Sequence, residues 1–243
     1  MTRVDLVKID EWRVYPWLRH GFTTRVGGVS TVYGSKELNL GFTKEDDAAA
    51  VARNRELVVE GMGGGGPLVM VRQVHGVEVL VAGEGPVVGD GLMTAERGLL
   101  LGIMTADCVP VLVADVKKRV VAGFHAGWRG TAGGIVELGI ARMRKEFGCD
   151  VADLVAAVGP SIGVCCYKVG EELREVFAGD LFRGDSLDLW EANRRQLVGA
   201  GVTRVSVVGE CTACARVEGR RKYFSHRAED GFTGRQIGVI GVV

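Results

Sequence analysis

The stretch LLLGIMTADCVPVLVADVKKRVVAGFHAGWRGTAGGIVELGIARMRKEF, residues 99–147, decides how this chain folds. Three apolar runs rich in β-branched residues, at 99–105, 110–115 and 120–125, follow one another across short polar breaks and read as strands. Residues 131–147 then switch to helical spacing, with Thr131 in the N-cap position. Strands that succeed one another this directly, with few helices between them, point to a mixed sandwich rather than a doubly wound parallel sheet.

The same reading extends outward. Residues 46–60 (DDAAAVARNRELVVE) have helical spacing with acids at their start, and a glycine run at 63–66 reads as a loop. Strands are expected at 68–74, 77–82, 154–158, 205–208 and 237–243, and helices at 170–177 and 188–197. Neither an internal repeat nor a linker-like composition interrupts the chain, so residues 1–243 are expected to form one α/β (α+β) domain.

Bulk composition restricts function. The chain has 243 residues, 47% of them hydrophobic and 25% charged, with zero formal net charge, which offers nothing to nucleic acid. No apolar run approaches the ~20 residues of a membrane span, and the first residues lack a secretory apolar segment, so a cytoplasmic protein is expected. The six cysteines are then better read as thiols or metal ligands than as disulfides. Thirty-seven glycines imply many tight turns and close backbone approaches.

With only four histidines, their positions are informative. His75 ends one expected strand in VRQVHG, His125 ends another in VVAGFHAGWRGT, and Cys108 sits at a strand break in TADCVPVL. Strand ends cluster at one rim of a sheet. Two imidazoles and a thiolate suit zinc, and three protein ligands leave a fourth position for water or substrate. The spacing is neither CxxC nor HExxH, so on the residues alone satisfied turn histidines and a small core cysteine are the better explanation at this point.

The segments RQVHG, TADCVPVL and HAGWRGT, in that order, resemble the signature blocks of the YfiH family, also called the multicopper polyphenol oxidase (laccase) domain or peptidoglycan-editing factor family. TTRVGGVS from Thr23, LNLGF from Leu38, NREL from Asn54, CCYKVG from Cys165 and FSHRAEDGFTGRQ from Phe224 extend the likeness over nearly the whole chain. The resemblance implies an α-β-β-α layered domain, similar in shape to the catalytic domain of cytotoxic necrotizing factor, with His75, Cys108 and His125 as metal ligands. It implies phosphorolysis of adenosine, inosine, guanosine and methylthioadenosine, with adenosine deaminase activity in the same pocket. The chain departs from the family pattern at His226, where many members carry tyrosine, and at Asp90-Gly91, where Asp-Ala is common.

Such chemistry requires purine nucleoside and phosphate as partners, Zn2+ rather than copper as cofactor, and an anion site. Arg129, at the expected start of the helix after His125, is the first candidate for phosphate, with Arg25 and Arg72 as alternatives. Asp107 is a candidate proton carrier or orienter of a metal ligand, and Asn39 a weaker candidate for contact with the nucleoside. Neither nucleic acid nor membrane is an expected partner, and a monomer or homodimer is expected.

Other signals read as structural. Gly159-Pro-Ser161-Ile-Gly163 fits GxSxG, but proline precedes the serine and no helix pattern follows it. Residues 61–66 fit GxGxxG but follow a helix and open a strand. Cys211-Thr-Ala-Cys214 with the vicinal Cys165-Cys166 would suit a second zinc site, although a lone CxxC more often marks core or loop thiols. Trp128 is a candidate for stacking on a purine or for packing. Three other functions compete: a copper polyphenol oxidase, which the scarcity of histidine opposes; a cysteine hydrolase or amidase acting in peptidoglycan editing, with Cys108 as nucleophile and His125 as base; and a non-enzymatic metal-storing module.

Overall fold

Two mixed sheets packed face to face, with helices on both outer sides, form the body of the computed structural model, which describes residues 4–64, 66–83 and 88–243. Gly65 of the glycine run and the first three residues lie outside the described residues. The sheet strands are, in chain order, β1 (Leu6–Val7), β2 (Leu18–Thr23), β3 (Leu68–Val69), β4 (Val79–Val81), β5 (Gly91–Thr94), β6 (Leu100–Thr105), β7 (Val109–Asp115), β8 (Val120–Ala126), β9 (Leu154–Val158), β10 (Arg204–Val207) and β11 (Gln236–Val242). The helices are α1 (Ala48–Gly61), α2 (Trp128–Ala132), α3 (Ile135–Phe147) and α4 (Leu189–Gly199).

The five-stranded sheet has the order β1-β2-β11-β6-β3 and the six-stranded sheet the order β10-β9-β7-β8-β5-β4. Pairing is antiparallel inside both sheets and parallel at β3/β6, β4/β5 and β9/β10, so both are mixed. Every residue of β7 and β8 is buried, because helices cover one face of their sheet and the second sheet covers the other. That two-sided burial is why these segments read as continuous apolar runs instead of alternating.

Three apolar clusters mark the layers. Leu57, Val58 and Met62 of α1 and its end pack on Leu100, Ile237 and Val239 of the first sheet. Phe22, Leu101 and Ile240 meet Leu112, Val121 and Val155 between the sheets. Ile135, Ile140 and Met143 of α3, with Leu189 and Leu197 of α4, cover Val111, Phe124 and Ala156 on the outer face of the second sheet. The result is an α-β-β-α domain.

Several sequence expectations need correction. The helix expected over 131–147 is two helices: Gly134 takes the left-handed φ of 74° and breaks the run, so Thr131 lies inside α2 and caps nothing. Gly133 is forced as well, since a Cβ there would sit 2.6 Å from Val77 Cγ1. The strand expected over 68–74 shrinks to β3, because the Gln73 side chain takes both backbone groups of Met104 and frees the chain to turn. Residues 170–177 contain only the 3-10 turn Glu171–Glu175. Three sheet strands were not expected: the two-residue β1, β2, whose LRHGFT sequence hides a strand behind Arg19, His20 and Gly21, and the four-residue β5. Among the described residues, no helix is long and apolar enough to cross a membrane.

Candidate metal and active site

The register of the β7/β8 hairpin begins the site. Pro110 pairs with His125 and Val109 with Ala126, so Cys108, one residue before β7, arrives beside the end of β8. The bend that frees the Cys108 side chain is at Asp107, with φ of 88°, a conformation that costs strain for a non-glycine residue. His75 comes from the loop between β3 and β4 and also has positive φ, 62°. Its loop is tied down twice, by Gln73 on Met104 at the end of β6 and by Asp90.

Asp90 organises two of the three groups at once. It is fully buried, and its carboxylate accepts the backbone N–H groups of Val74, His75 and Gly76 at 3.2, 2.9 and 2.7 Å. The same carboxylate accepts His125 Nδ1–H at 2.8 Å, and the Asp90 carbonyl accepts the His125 backbone N–H at 2.7 Å. Burial pushes the Asp90 carboxyl up, but His125 and the amides of Gly76 and Val74 outweigh it and hold it below the ordinary range. With Nδ1 committed to Asp90, the other ring nitrogen of His125 is left for a ligand.

The donor atoms of His75, Cys108 and His125 all lie within 4.8 Å of one another, and the two imidazole rings meet edge to face at 4.8 Å. Gly127 makes the approach possible, since a Cβ there would be 3.0 Å from Cys108 Sγ and 3.4 Å from His75 Cδ2. Burial opposes the Cys108 thiolate, yet His125 and His75 stabilise it and bring its pKa down to about 6. Burial likewise opposes His125 charging, but Asp90 and Cys108 raise it to about 9. Cys108 and His125 thus stabilise each other's charged forms, and the three groups present donors that can hold a divalent cation. Two imidazole nitrogens and one sulfur form a donor set that fits zinc.

The trio opens on a cavity of about 550 Å³. Arg72, Arg227 and Arg235 line it, the Arg227 guanidinium donating to the Lys168 carbonyl at 2.8 Å and that of Arg235 to the Thr233 and Gly234 carbonyls at 3.0 and 2.9 Å, and Met104, Ile162 and Tyr167 supply apolar wall. Thr105 lines the same wall, and its buried hydroxyl has no hydrogen-bond partner among the described residues. His226 also lines the cavity.

Of the residues expected from sequence, His75, Cys108, His125, Asp107 and Arg72 reach the cavity. Arg25, Asn39 and Arg129 do not line it. Arg25 is buried between Glu37 and Glu229, at 2.7 and 2.9 Å, and donates to the Tyr33 carbonyl at 3.0 Å, so its charge is already offset by two carboxylates. Asn39 is fully buried and bonds Asp46 and the backbone of Gly41 and Arg235, as scaffold. Arg129 is exposed and stacks over Trp128 at 4.3 Å, and Trp128 packs against the apolar cluster beneath α3 and α4. Asp107 accepts bonds from Thr212 Oγ1 at 2.6 Å and Arg227 N at 2.7 Å; the orienting role considered for it falls to Asp90. Ser161 is fully buried and accepts Trp190 Nε1–H, which agrees with a structural turn.

Sequence reasoning missed Asp90, Arg227 and Arg235 as site residues. All three stood inside quoted stretches, Arg227 and Arg235 in FSHRAEDGFTGRQ, but nothing in one sequence says that residues near 230 return to residues near 107.

Over residues 19–243 the chain matches the family model described as multi-copper polyphenol oxidoreductase laccase. The chain belongs to this laccase-like family. Among relatives in the family, a protein of Bacteroides thetaiotaomicron named purine nucleoside phosphorylase is 37% identical over 93% of this chain and 88% of its own length. One of Deinococcus radiodurans with the same name is 39% identical over 92% and 88%. The crystal structure of the Bacillus licheniformis hypothetical protein YfiH superposes with a TM-score of 0.86 at 30% identity, covering all of this chain and 97% of that one. YlmD from Geobacillus stearothermophilus gives 0.84 at 34% identity, covering 95% and 93%. The laccase-like fold is thus the fold of this chain.

Proposed function

We propose that the chain is a zinc-dependent purine nucleoside phosphorylase acting on adenosine, inosine, guanosine and methylthioadenosine, with adenosine deaminase activity in the same cavity. The observation that carries this reading is that the three donors His75, Cys108 and His125 share one hollow with Arg72, Arg227 and Arg235. The names of the family relatives support it.

In phosphorolysis a phosphate oxygen forms a bond to C1′ of the ribose as the C1′–N9 bond breaks. The purine leaves with the bonding electrons and takes up a proton, giving free base and ribose 1-phosphate. Arg72, Arg227 and Arg235 are suited to hold the phosphate and offset its charge as it nears the sugar. Met104, Ile162 and Tyr167 offer apolar surface for the base, and the Thr105 hydroxyl offers a hydrogen bond that no group among the described residues uses. Asp107, on the same wall, is the candidate carrier for the proton. Asp90 fixes the His125 tautomer and the His75 loop. Zinc held by His75, Cys108 and His125 would supply a Lewis acid that polarises a water or a substrate heteroatom.

The test is incubation of the purified enzyme with adenosine or inosine and phosphate. Free base and ribose 1-phosphate are expected, with a loss of 100-fold or more in the Arg235→Ala and Cys108→Ala variants. Absence of product from every purine nucleoside overturns the reading.

A second reading has one specific observation behind it. Cys108, His125 and Asp90 stand in the order of a nucleophile, base and orienting acid. A cysteine hydrolase of this kind requires Cys108 to react with iodoacetamide in the as-purified enzyme, whereas a metal-bound Cys108 is protected. A copper polyphenol oxidase, the chemistry in the family's name, is disfavoured by four histidines in the chain and separates from zinc by elemental analysis.

A further inference from the structure

A second group of metal-capable side chains lies outside the cavity. Cys165, Cys166, Cys211 and Cys214 come from two chain segments far apart in sequence, and their four sulfurs all lie within 4.8 Å of one another. All four are free thiols. The Cys165 and Cys214 sulfurs are 3.7 Å apart. Four sulfurs each about 2.3 Å from a central zinc in a tetrahedron would be separated by about 3.8 Å, so this spacing is that of ligands around a common ion.

The backbone around them is built to hold thiolates. Cys211 to Ala215 forms a tight turn in which the Cys214 and Ala215 amides donate to the Cys211 carbonyl at 3.3 and 2.8 Å. The opposing segment turns in the same manner, with the Cys166 and Tyr167 amides on the Gly163 carbonyl, both at 2.9 Å. The Gly163 amide donates across to Cys211 Sγ at 3.2 Å, an interaction that favours negative charge on sulfur. The two segments are fixed in register by the bridge between Ser161 and Cys211. Arg216 borders the cluster and partly offsets the net negative charge that four thiolates leave on a divalent ion, while the neighbouring Lys222 is paired with Glu210 at 2.8 Å.

We propose that Cys165, Cys166, Cys211 and Cys214 bind a second zinc ion in a closed tetrathiolate site whose role is structural. Four protein ligands leave no open position, in contrast to the cavity trio. The site joins two loops that form one wall of the cavity: Tyr167, next to Cys166, lines it, and Thr212, next to Cys211, donates to Asp107 at 2.6 Å. Ile162 N–H, on the same loop as the vicinal cysteines, donates to the Asp107 carbonyl at 2.9 Å. The tetrathiolate ion therefore clamps the turn that delivers Cys108, without touching substrate.

This proposal is independent of the reaction assigned to the cavity. It is tested on the His75→Ala/Cys108→Ala variant, which removes two of the three cavity donors, by zinc analysis and zinc-edge X-ray absorption. About one zinc per chain is expected to remain, with a shell of four sulfurs near 2.3 Å. The Cys211→Ser/Cys214→Ser variant should lose that zinc. In the wild-type protein, where folding is not at issue, all four thiols should resist iodoacetamide until a strong chelator is added, as peptide mapping reports. Retained zinc with nitrogen or oxygen neighbours, iron in place of zinc, a disulfide between any of the four cysteines, or alkylation of all four without chelator overturns it.

Discussion

Asp90 reaches the cavity only through other residues, yet its substitution should have the clearest local effect. Asp90→Asn keeps the volume but replaces a charged acceptor of four hydrogen bonds by an amide with one acceptor oxygen. Zinc affinity at the cavity, measured by competition with a chromophoric chelator, should fall about 10- to 100-fold, as for other groups that orient ligating histidines. Unchanged affinity would remove Asp90 from the site. The arginines separate in the same manner. Arg25→Ala takes the only ion-pair partner from Glu229 among the described residues and leaves Glu37 with Arg220 alone, and should destabilise the fold by about 3 kcal/mol in denaturant unfolding. Arg235→Ala should leave unfolding nearly unchanged and raise the KM for phosphate. If Arg25→Ala unfolds like the wild type but loses phosphate affinity, Arg25 is an anion ligand after all. At this scale sequence was informative where a motif names an atom, as for His75, Cys108 and His125. It was uninformative where a residue's partner is distant: Arg25 sits in as glycine-rich a turn as any phosphate loop, and only the arrival of Glu229, some two hundred residues later, commits it to the scaffold.

Elements were legible in proportion to their burial. The seven-residue strands β7, β8 and β11 are apolar but for Asp115, His125 and Gln236 near their ends, because both faces are covered, and their positions were visible from the apolar runs alone. β2 is equally internal to its sheet, yet it carries His20, a polar residue that burial would ordinarily exclude. Its compensation is local: His20 Nε2 accepts the Ile9 amide at 3.1 Å, just before the 3-10 turn Asp10–Val14, and the ring packs on Trp12 at 4.9 Å. Burial is the main reason the His20 pKa is lowered to about 4, with the Ile9 backbone acting in the opposite direction. The unfolded chain, with an ordinary value near 6.5, binds this proton more readily than the folded one. The stabilising contribution is therefore complete above pH 6.5 and is lost as pH falls toward 4, an amount of about 3 kcal/mol. Urea unfolding at pH 7.5 and 4.5 should show a smaller acid loss for His20→Gln than for the wild type. Equal losses in the two proteins would mean that His20 is not the group that titrates.

For the molecule as a whole, the site is where the two sheets and their connections converge. The β7/β8 hairpin of one sheet supplies Cys108 and His125, the end of β6 in the other sheet supplies Thr105 and anchors Gln73, and the segment leading into β11 supplies Arg227 and Arg235. The layered class was readable from the succession of strands, but the convergence was not, since it depends on long returns such as Arg227 N–H to Asp107. In the proposed enzyme His75, Cys108 and His125 hold zinc with one coordination position facing the arginine-lined cavity. Anomalous diffraction at the zinc edge from crystals of the as-purified enzyme tests it most directly. A peak is expected about 2.0–2.3 Å from one nitrogen of each imidazole and from Cys108 Sγ, its fourth side toward Arg72, Arg227 and Arg235. No peak at the trio, or an ion there closed off from the cavity by a fourth protein ligand, would contradict it.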